Sequence, residues 1–353
     1  MSIDHAPLAG TLAALALGLV AVLPVRSGAA PATIAEIALY NGPDRQAILE
    51  AGAKKEGEYR PYMTGTQLDP ILERFQQKYP FVKAVPHRLD SDVVARKVIE
   101  EYKAGRYTVD GYMMNTGGLQ ALRDAGVLQS FYSPEMASFK KEAIQPDKLW
   151  VVDKESYLSF GYNTKAYSDK DVPQTYDDML DPKWKGKFAM STDGTTFTTW
   201  IGAIVLSKGE DFLRKLGKQD FKFYNIGGRG VSNMVVSGEI PISPAIYSGH
   251  MRLSKAKGAN VGWKAVGAVY SNLGGVALAS KSPHPHATML LIDFSLSREG
   301  QKMYQDLGYE TGRLDLENSD KPEEILYVTE RPNFHKEFEY WGNLIRPVFM
   351  QKN

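Results

Sequence analysis

Tyr59–Asp90, YRPYMTGTQLDPILERFQQKYPFVKAVPHRLD, contains a strand, a helix and a second strand in succession. Tyr59 to Met63 is short and β-prone, and it leaves into Thr64, Gly65 and Thr66. Leu68, Ile71, Leu72, Phe75 and Tyr79 then recur at helical spacing on one face. Pro80 ends that helix, and Val82 to Pro86 reads as the next strand. A strand returning after one crossover helix is the repeating unit of a parallel sheet, so the stretch predicts an α/β fold.

The alternation extends in both directions. Upstream, Asp44 to Glu56 has helical spacing and stops at Gly57. Downstream, Asp90 or Ser91 caps a helix with Val94, Val98 and Tyr102 on its inner face, and Gly105 closes it. Val109 to Met114 is a third strand, exiting into Asn115, Thr116, Gly117 and Gly118. A second α/β unit begins with strands at Tyr157 to Tyr162 and Phe188 to Met190, the latter leaving into Ser191 to Thr196. Thr199 to Ser207 reads as an apolar helix. Ile226 to Gly230 reads as a glycine-rich loop before a short helix at Val231 to Val236, and Ile240 to Ser243 as a strand ending near Tyr247. Gly274 to Ala279 is again apolar, His286 to Leu296 carries a helical stripe, and the remainder reads as a C-terminal helical cap.

Length and composition narrow the function classes. The 353 residues are enough for two domains, and 43% hydrophobic content is ample for two cores. Lys plus Arg number 42 against 41 for Asp plus Glu, so the basic excess of a nucleic-acid binder is missing. With no cysteine, the chain has no disulfide, thiolate metal site or thiol nucleophile. Ala6 to Val25 is uncharged and apolar, and the small residues Ser27 to Ala32 follow Arg26. This reads as a secretory signal peptide over 1–32, cleaved near Ala30 or Ala32. The first seven residues carry no Lys or Arg, which departs from the usual leader, and about 20 apolar residues would also serve as an uncleaved anchor.

Several short stretches, in order, resemble one family. They are Ala53 to Glu58 (AKKEGE), Phe75 to Pro80 (FQQKYP), Ala125 to Leu128, Gly161 to Thr164 (GYNT), Asp181 to Lys187 (DPKWKGK), Ser237 to Pro241 (SGEIP), Gly274 to Ala279 with Ser282 to Pro285, and Asp293 to Gln301. On these the chain resembles the bacterial extracellular solute-binding proteins of ABC importers, in the branch that includes the ferric-ion-binding proteins. The resemblance implies the two-lobe, type II periplasmic-binding-protein fold, each lobe a mixed sheet flanked by helices, with a hinge between. Lobe 1 is expected from 33–160 and 272–353, including the helical cap, and lobe 2 from 161–271. The hinge crossings are expected near Tyr157 to Thr164 and Tyr270 to Gly275. A periplasmic monomer that hands a small-molecule ligand to the permease subunits of an importer is implied, with no cofactor.

In open α/β sheets, ligands sit beyond the carboxyl ends of strands, where helix N-termini offer unpaired N–H groups. The strand exits supply Thr64, Thr66, Asn115, Thr116, Thr192 and Thr195 as ligand contacts, their hydroxyls and amides donating without formal charge. Arg88 and Arg229 supply countercharge, and together these residues point to an anion bearing phosphate, phosphonate, sulfonate or carboxylate. Tyr247 and His250 complete the set from the second unit, while His284 and His286, at a Pro-rich helix start, read as structural. The resembling ferric proteins supply two adjacent tyrosines, a His and a Glu. Here Ile246-Tyr247-Ser248-Gly249-His250 has one tyrosine, and no His or Glu follows the first or third strand. Iron is therefore the alternative reading, with an altered ligand set, and no metal ligand is assigned. The chain has no GxSxG, P-loop or HExxH motif, which weighs against an enzyme. A chemosensory role would use the same domain.

Overall fold

The computed structural model describes residues 1, 32–64, 67–89, 91–192, 194–320, 322–328, 331 and 333–350. The apolar leader and its cleavage region lie outside them up to residue 31, as does Thr66. No helix among the described residues is long and apolar enough to cross a membrane. Residues 32–353 form one compact unit.

Helix α1 (Ile34–Leu39) starts on a capping box between Thr33 and Glu36, and α2 (Arg45–Glu56) ends on Gly57 in the left-handed conformation, φ 74°. The stretch that opened the reading follows as β1 (Glu58–Tyr59), β2 (Pro61–Met63), α3 (Asp69–Lys78), β3 (Lys83–Ala84) and β4 (His87–Arg88). Ile71, Leu72 and Phe75 are the buried face of α3, as their spacing requires. Each such side chain contributes about 1.5–3 kcal/mol by leaving water. Next come α4 (Ser91–Lys103), β5 (Gly111–Asn115), α5 (Thr116–Asp124) and β6 (Leu128–Gln129). Strand β2 pairs in parallel with both β4 and β5, the parallel arrangement predicted, but the expected strand Val82 to Pro86 supplies only β3, which pairs with β1 in a separate two-stranded sheet.

Strand β7 (Trp150–Asn163) runs 14 residues, all buried, where the sequence pattern predicts only Tyr157 to Tyr162. The difference lies in Asp153, Lys154 and Glu155, which break the apolar run yet are paired inside. Asp153 accepts from Lys154 Nζ at 2.9 Å and from the Tyr304 hydroxyl at 2.8 Å, and Glu155 accepts from Ser271 Oγ at 2.6 Å.

The second unit comprises β8 (Ala189–Ser191), α6 (Gly194–Lys208), α7 (Glu210–Leu216), β9 (Lys222–Tyr224), α8 (Gly228–Ser237), β10 (Ile242–Tyr247), α9 (Ser248–Ala256) and β11 (Val261–Lys264). The chain returns through β12 (Val269–Ala279) and continues into α10 (Pro285–Leu296), α11 (Arg298–Asp306), β13 (Ile325–Leu326) and α12 (Phe334–Phe349). The main sheet runs β10-β7-β12-β5-β2-β4. Its centre is the antiparallel pair β7 and β12, the two segments in which the hinge crossings are expected.

The buried apolar residues fall into separate clusters. Two draw on 37–152 and 273–304, and two on 158–270 and 328–344. Phe334, Trp341 and Leu344 of α12 belong to the latter, so the final helix packs with the second unit rather than capping the first. His284 and His286 are structural: Nδ1 of His284 lies 3.0 Å from Asp110 and Nδ1 of His286 2.6 Å from Glu56.

Candidate functional site

Ser156 on β7 and Asn272 on β12 are polar positions facing the same side of the central strand pair, and there they line a cavity of about 560 Å³. Successive strand residues point to opposite faces, so Glu155, Tyr157 and Leu273 line other cavities behind. One of those is larger, about 610 Å³, and holds Arg313. Its guanidinium is already held at 2.6 Å by both Glu135 and Asp315, so that charge is spent within the protein.

The front cavity is different. Helices α6, α8 and α9 present their first turns to it through Thr196, Gly228 and Gly249. Unpaired N–H groups and the positive end of the helix dipole favour anions at such positions. Gly249 allows a close approach, because a Cβ there would lie 2.2 Å from the Gly308 carbonyl oxygen. The turn Leu307–Tyr309 is thereby pressed against α9 and brings Tyr309 into the lining.

Among the described residues, Arg229 is the one cation lining this cavity, and no carboxylate lines it or pairs with Arg229. The residue is exposed, in the first turn of α8. The predicted glycine-rich loop is shorter than expected, since Gly227 is the extended N-cap and the helix begins at Gly228. Tyr247 ends β10, and its ring meets that of His250 edge-on, centroids 5.7 Å apart. Burial pushes the Tyr247 hydroxyl up to about 12, while polar contact from Thr196 and Asn272 works weakly the other way. Burial also raises Tyr309, opposed by Gln67 and by the charge of Arg229. His250 is pulled down to about 3, first by burial and then by Arg229, so it is neutral at physiological pH.

That shift carries a prediction. Folded His250 takes up its proton only near pH 3, whereas the unfolded residue does so near 6.5. Above 6.5 both states are neutral and nothing is lost. As pH falls from 6.5 toward 3, the unfolded state gains protons the folded state refuses, costing up to about 1.4 kcal/mol per pH unit. His250→Gln should therefore lose less stability than the native chain between pH 6.5 and 4 in urea titrations. Equal losses would contradict a neutral, buried imidazole.

Of the residues read from the sequence, Arg229, Tyr247 and His250 come together in the cavity. Thr66 lies outside the described residues, and Thr64, Arg88, Asn115, Thr116 and Thr192 do not line the cavity. Thr64 directly follows β2, its N–H donating to Met113 O at 3.3 Å. Arg88 is ion-paired with Asp69 at the start of α3, which neutralises the charge expected for the ligand. Asn115 caps α5 by accepting from the Gly118 N–H at 2.9 Å, and Thr116 is fully buried behind it. Thr192 Oγ1 donates to Tyr224 O at 3.2 Å. Thr195 lies in the first turn of α6 with its side chain outside the described residues. Gln67, Ser156, Thr196, Asn272 and Tyr309 line the cavity without having been singled out. Gln67 and Thr196 adjoin strand exits that were, but Tyr309 follows α11, far along the chain, with no local signal.

Three comparisons bear on this geometry. The Fe(3+)-binding periplasmic protein of Serratia marcescens is 30% identical over 156 residues, 41% of this chain and 45% of that relative, so less than half of its length is matched. The structure of iron-bound HitA from Pseudomonas aeruginosa superposes with a TM-score of 0.68 at 23% identity, covering 82% of this chain and 99% of that one. AfuA from Actinobacillus pleuropneumoniae, with exogenous fructose-6-phosphate bound, gives 0.65 at 20% identity, covering 84% and 99%. These likenesses show the type II periplasmic-binding-protein fold. Residues 71–330 match the family described as "Bacterial extracellular solute-binding protein", a family of binding proteins and not of enzymes. That match covers well over half of the sequence, and the protein belongs to the bacterial extracellular solute-binding protein family.

Proposed function

We propose that this chain is the periplasmic substrate-binding component of an ABC transporter, which captures a small anionic solute bearing phosphate, phosphonate, sulfonate or carboxylate and delivers it to the permease. The observation that carries this reading is Arg229: a cation with no counterion among the described residues, in a cavity lined by three helix starts and, among those residues, no carboxylate. Each helix dipole adds about 0.3–1 kcal/mol for an anion at its N-terminus. Lobe 1 would comprise 33–160 and the returning segment from 272, lobe 2 would comprise 161–271 with α12 packed on it, and β7 and β12 would form the hinge. Ser156 and Asn272 on those strands, with Arg229 and His250 on the second unit, line one cavity, so a single ligand touching them favours the closed state. Export, cleavage of the leader near Ala30 or Ala32 and a monomeric state accompany this role.

Small-angle scattering tests closure: a saturating anion should reduce the radius of gyration of the native chain and not that of Arg229→Ala at the same concentration. An unchanged radius with calorimetrically confirmed binding would rule closure out.

Iron is the second reading, because Tyr247, Tyr309 and His250 line the same cavity and the Serratia marcescens relative binds Fe(3+). Against it, among the described residues no carboxylate belongs to the lining and no group of three His, Cys, Asp or Glu is placed to hold a metal, and Arg229 repels a cation. Tyr247→Phe separates the two: anion affinity should fall by no more than about tenfold, the cost of one hydrogen bond. Loss of ferric binding in that variant, from a chain that otherwise binds iron, would favour the second.

A further inference from the structure

His250 is held from behind by Ser232 of α8, and that contact determines which ring nitrogen faces the ligand. Ser232 Oγ lies 2.9 Å from Gly228 O and 2.9 Å from His250 Nδ1. Each contact needs a hydrogen between its heavy atoms, since two lone pairs at that separation repel. The Gly228 carbonyl has none to give, so the single hydroxyl hydrogen of Ser232 goes to it. The hydrogen of the second contact must then come from His250, which fixes the Nδ1–H tautomer and leaves a lone pair on Nε2. No described residue donates to Nε2, and His250 lines the cavity. Burial and Arg229 keep the ring neutral, so no second proton covers it.

A site built only to hold an anion would place donors around it. Here one position among donors is an acceptor, which repels a bare oxyanion oxygen and welcomes an O–H. Resting on the anion reading above, we propose that the cavity selects a hydroxylated oxyanion, its charge toward Arg229 and the helix starts and a hydroxyl donating to His250 Nε2. Ser232 is the positioning residue that sets the tautomer.

The experiment uses matched pairs differing only in hydroxyls, titrated calorimetrically into the purified chain at pH 8, where phosphate monoesters carry no P–OH. The pairs are glycerol 3-phosphate and propyl phosphate, glycerate and propionate, and isethionate and ethanesulfonate. In at least one pair the hydroxylated member should bind about tenfold to a hundredfold tighter, the range expected when an acceptor is left unpaired. His250→Phe should bring that ratio to about threefold or less through loss of the one contact. Ser232→Ala should lower the ratio while leaving His250 in place, and ¹⁵N spectra of the native chain should show the unprotonated nitrogen as Nε2. Equal affinities within the pairs that bind, a ratio that survives His250→Phe, or a protonated Nε2 would overturn the proposal. If no member of any pair binds, the anion reading itself fails, an outcome distinct from equal binding.

Discussion

Replacing Arg229 by alanine is expected to weaken binding of an anionic ligand by about a hundredfold and to leave the stability of the free protein almost unchanged. The first half follows from desolvation. Closure would take an anion and this guanidinium out of water together, and removing one partner of such a pair costs about 2–5 kcal/mol. The second half follows from the ligand-free geometry, in which Arg229 is exposed and makes no ion pair with a described residue. Surface substitutions of that kind stay within about 0.5 kcal/mol. Arg229→Lys should fall between, since it keeps the charge and loses the planar fork that binds two oxygens at once. Calorimetric titration of the three chains checks this, and an unchanged affinity in the alanine variant would remove Arg229 from the site.

Asp153→Ala is expected to destabilise the fold by about 3–5 kcal/mol, the cost of stranding a buried charge, which lowers the unfolding temperature by on the order of 10 °C. Asp153 is fully buried on β7 and accepts from Lys154 Nζ at 2.9 Å and Tyr304 at 2.8 Å. Lys154 is itself 7% exposed and stands 5.5 Å from the Tyr304 ring centre, so the alanine variant leaves a buried ammonium without its carboxylate. Adding Lys154→Met should recover part of the loss, because the uncompensated charge goes with it. A double variant less stable than the single one would show that the aspartate acts through something other than this pair. Chemical denaturation of the three variants measures all of it.

Those buried charges also mark where sequence reading stops. Helix α3 was legible because Ile71, Leu72 and Phe75 obey a spacing set by helix geometry alone. Strand β7 was half legible, because Asp153 and Glu155 look like solvent-facing breaks until Tyr304 and Ser271 arrive from more than a hundred residues away. The placement of α12 was illegible for the same reason: its apolar stripe fits either unit, and only the position of α6 decides. In the site, Arg229, Tyr247 and His250 were readable from their place at a helix start and a strand exit. Arg88 had the same local appearance, and the acid that neutralises it, Asp69, lies on the helix between. Asn115 shows the opposite trade, a polar residue at a strand end whose side chain serves the helix N–H groups and not the cavity. Tyr309 belongs to the lining only because Gly249 lets Gly308 approach, a contact between distant segments that no local pattern announces.

The central claim, that the cavity lined by Arg229, Tyr247 and His250 holds an oxyanion, is tested most directly by a thermal-unfolding screen of residues 32–353. Phosphate, phosphonate, sulfonate and carboxylate compounds would be set beside ferric citrate and polyamines, with free citrate as the control for the carrier. A ligand at a hundred times its dissociation constant stabilises the folded state by about 2.7 kcal/mol, and each kcal/mol raises the midpoint by roughly 2–4 °C. The account predicts a rise of several degrees confined to one class of anion and absent in Arg229→Ala. A rise with ferric citrate and none with free citrate or any other anion would contradict it.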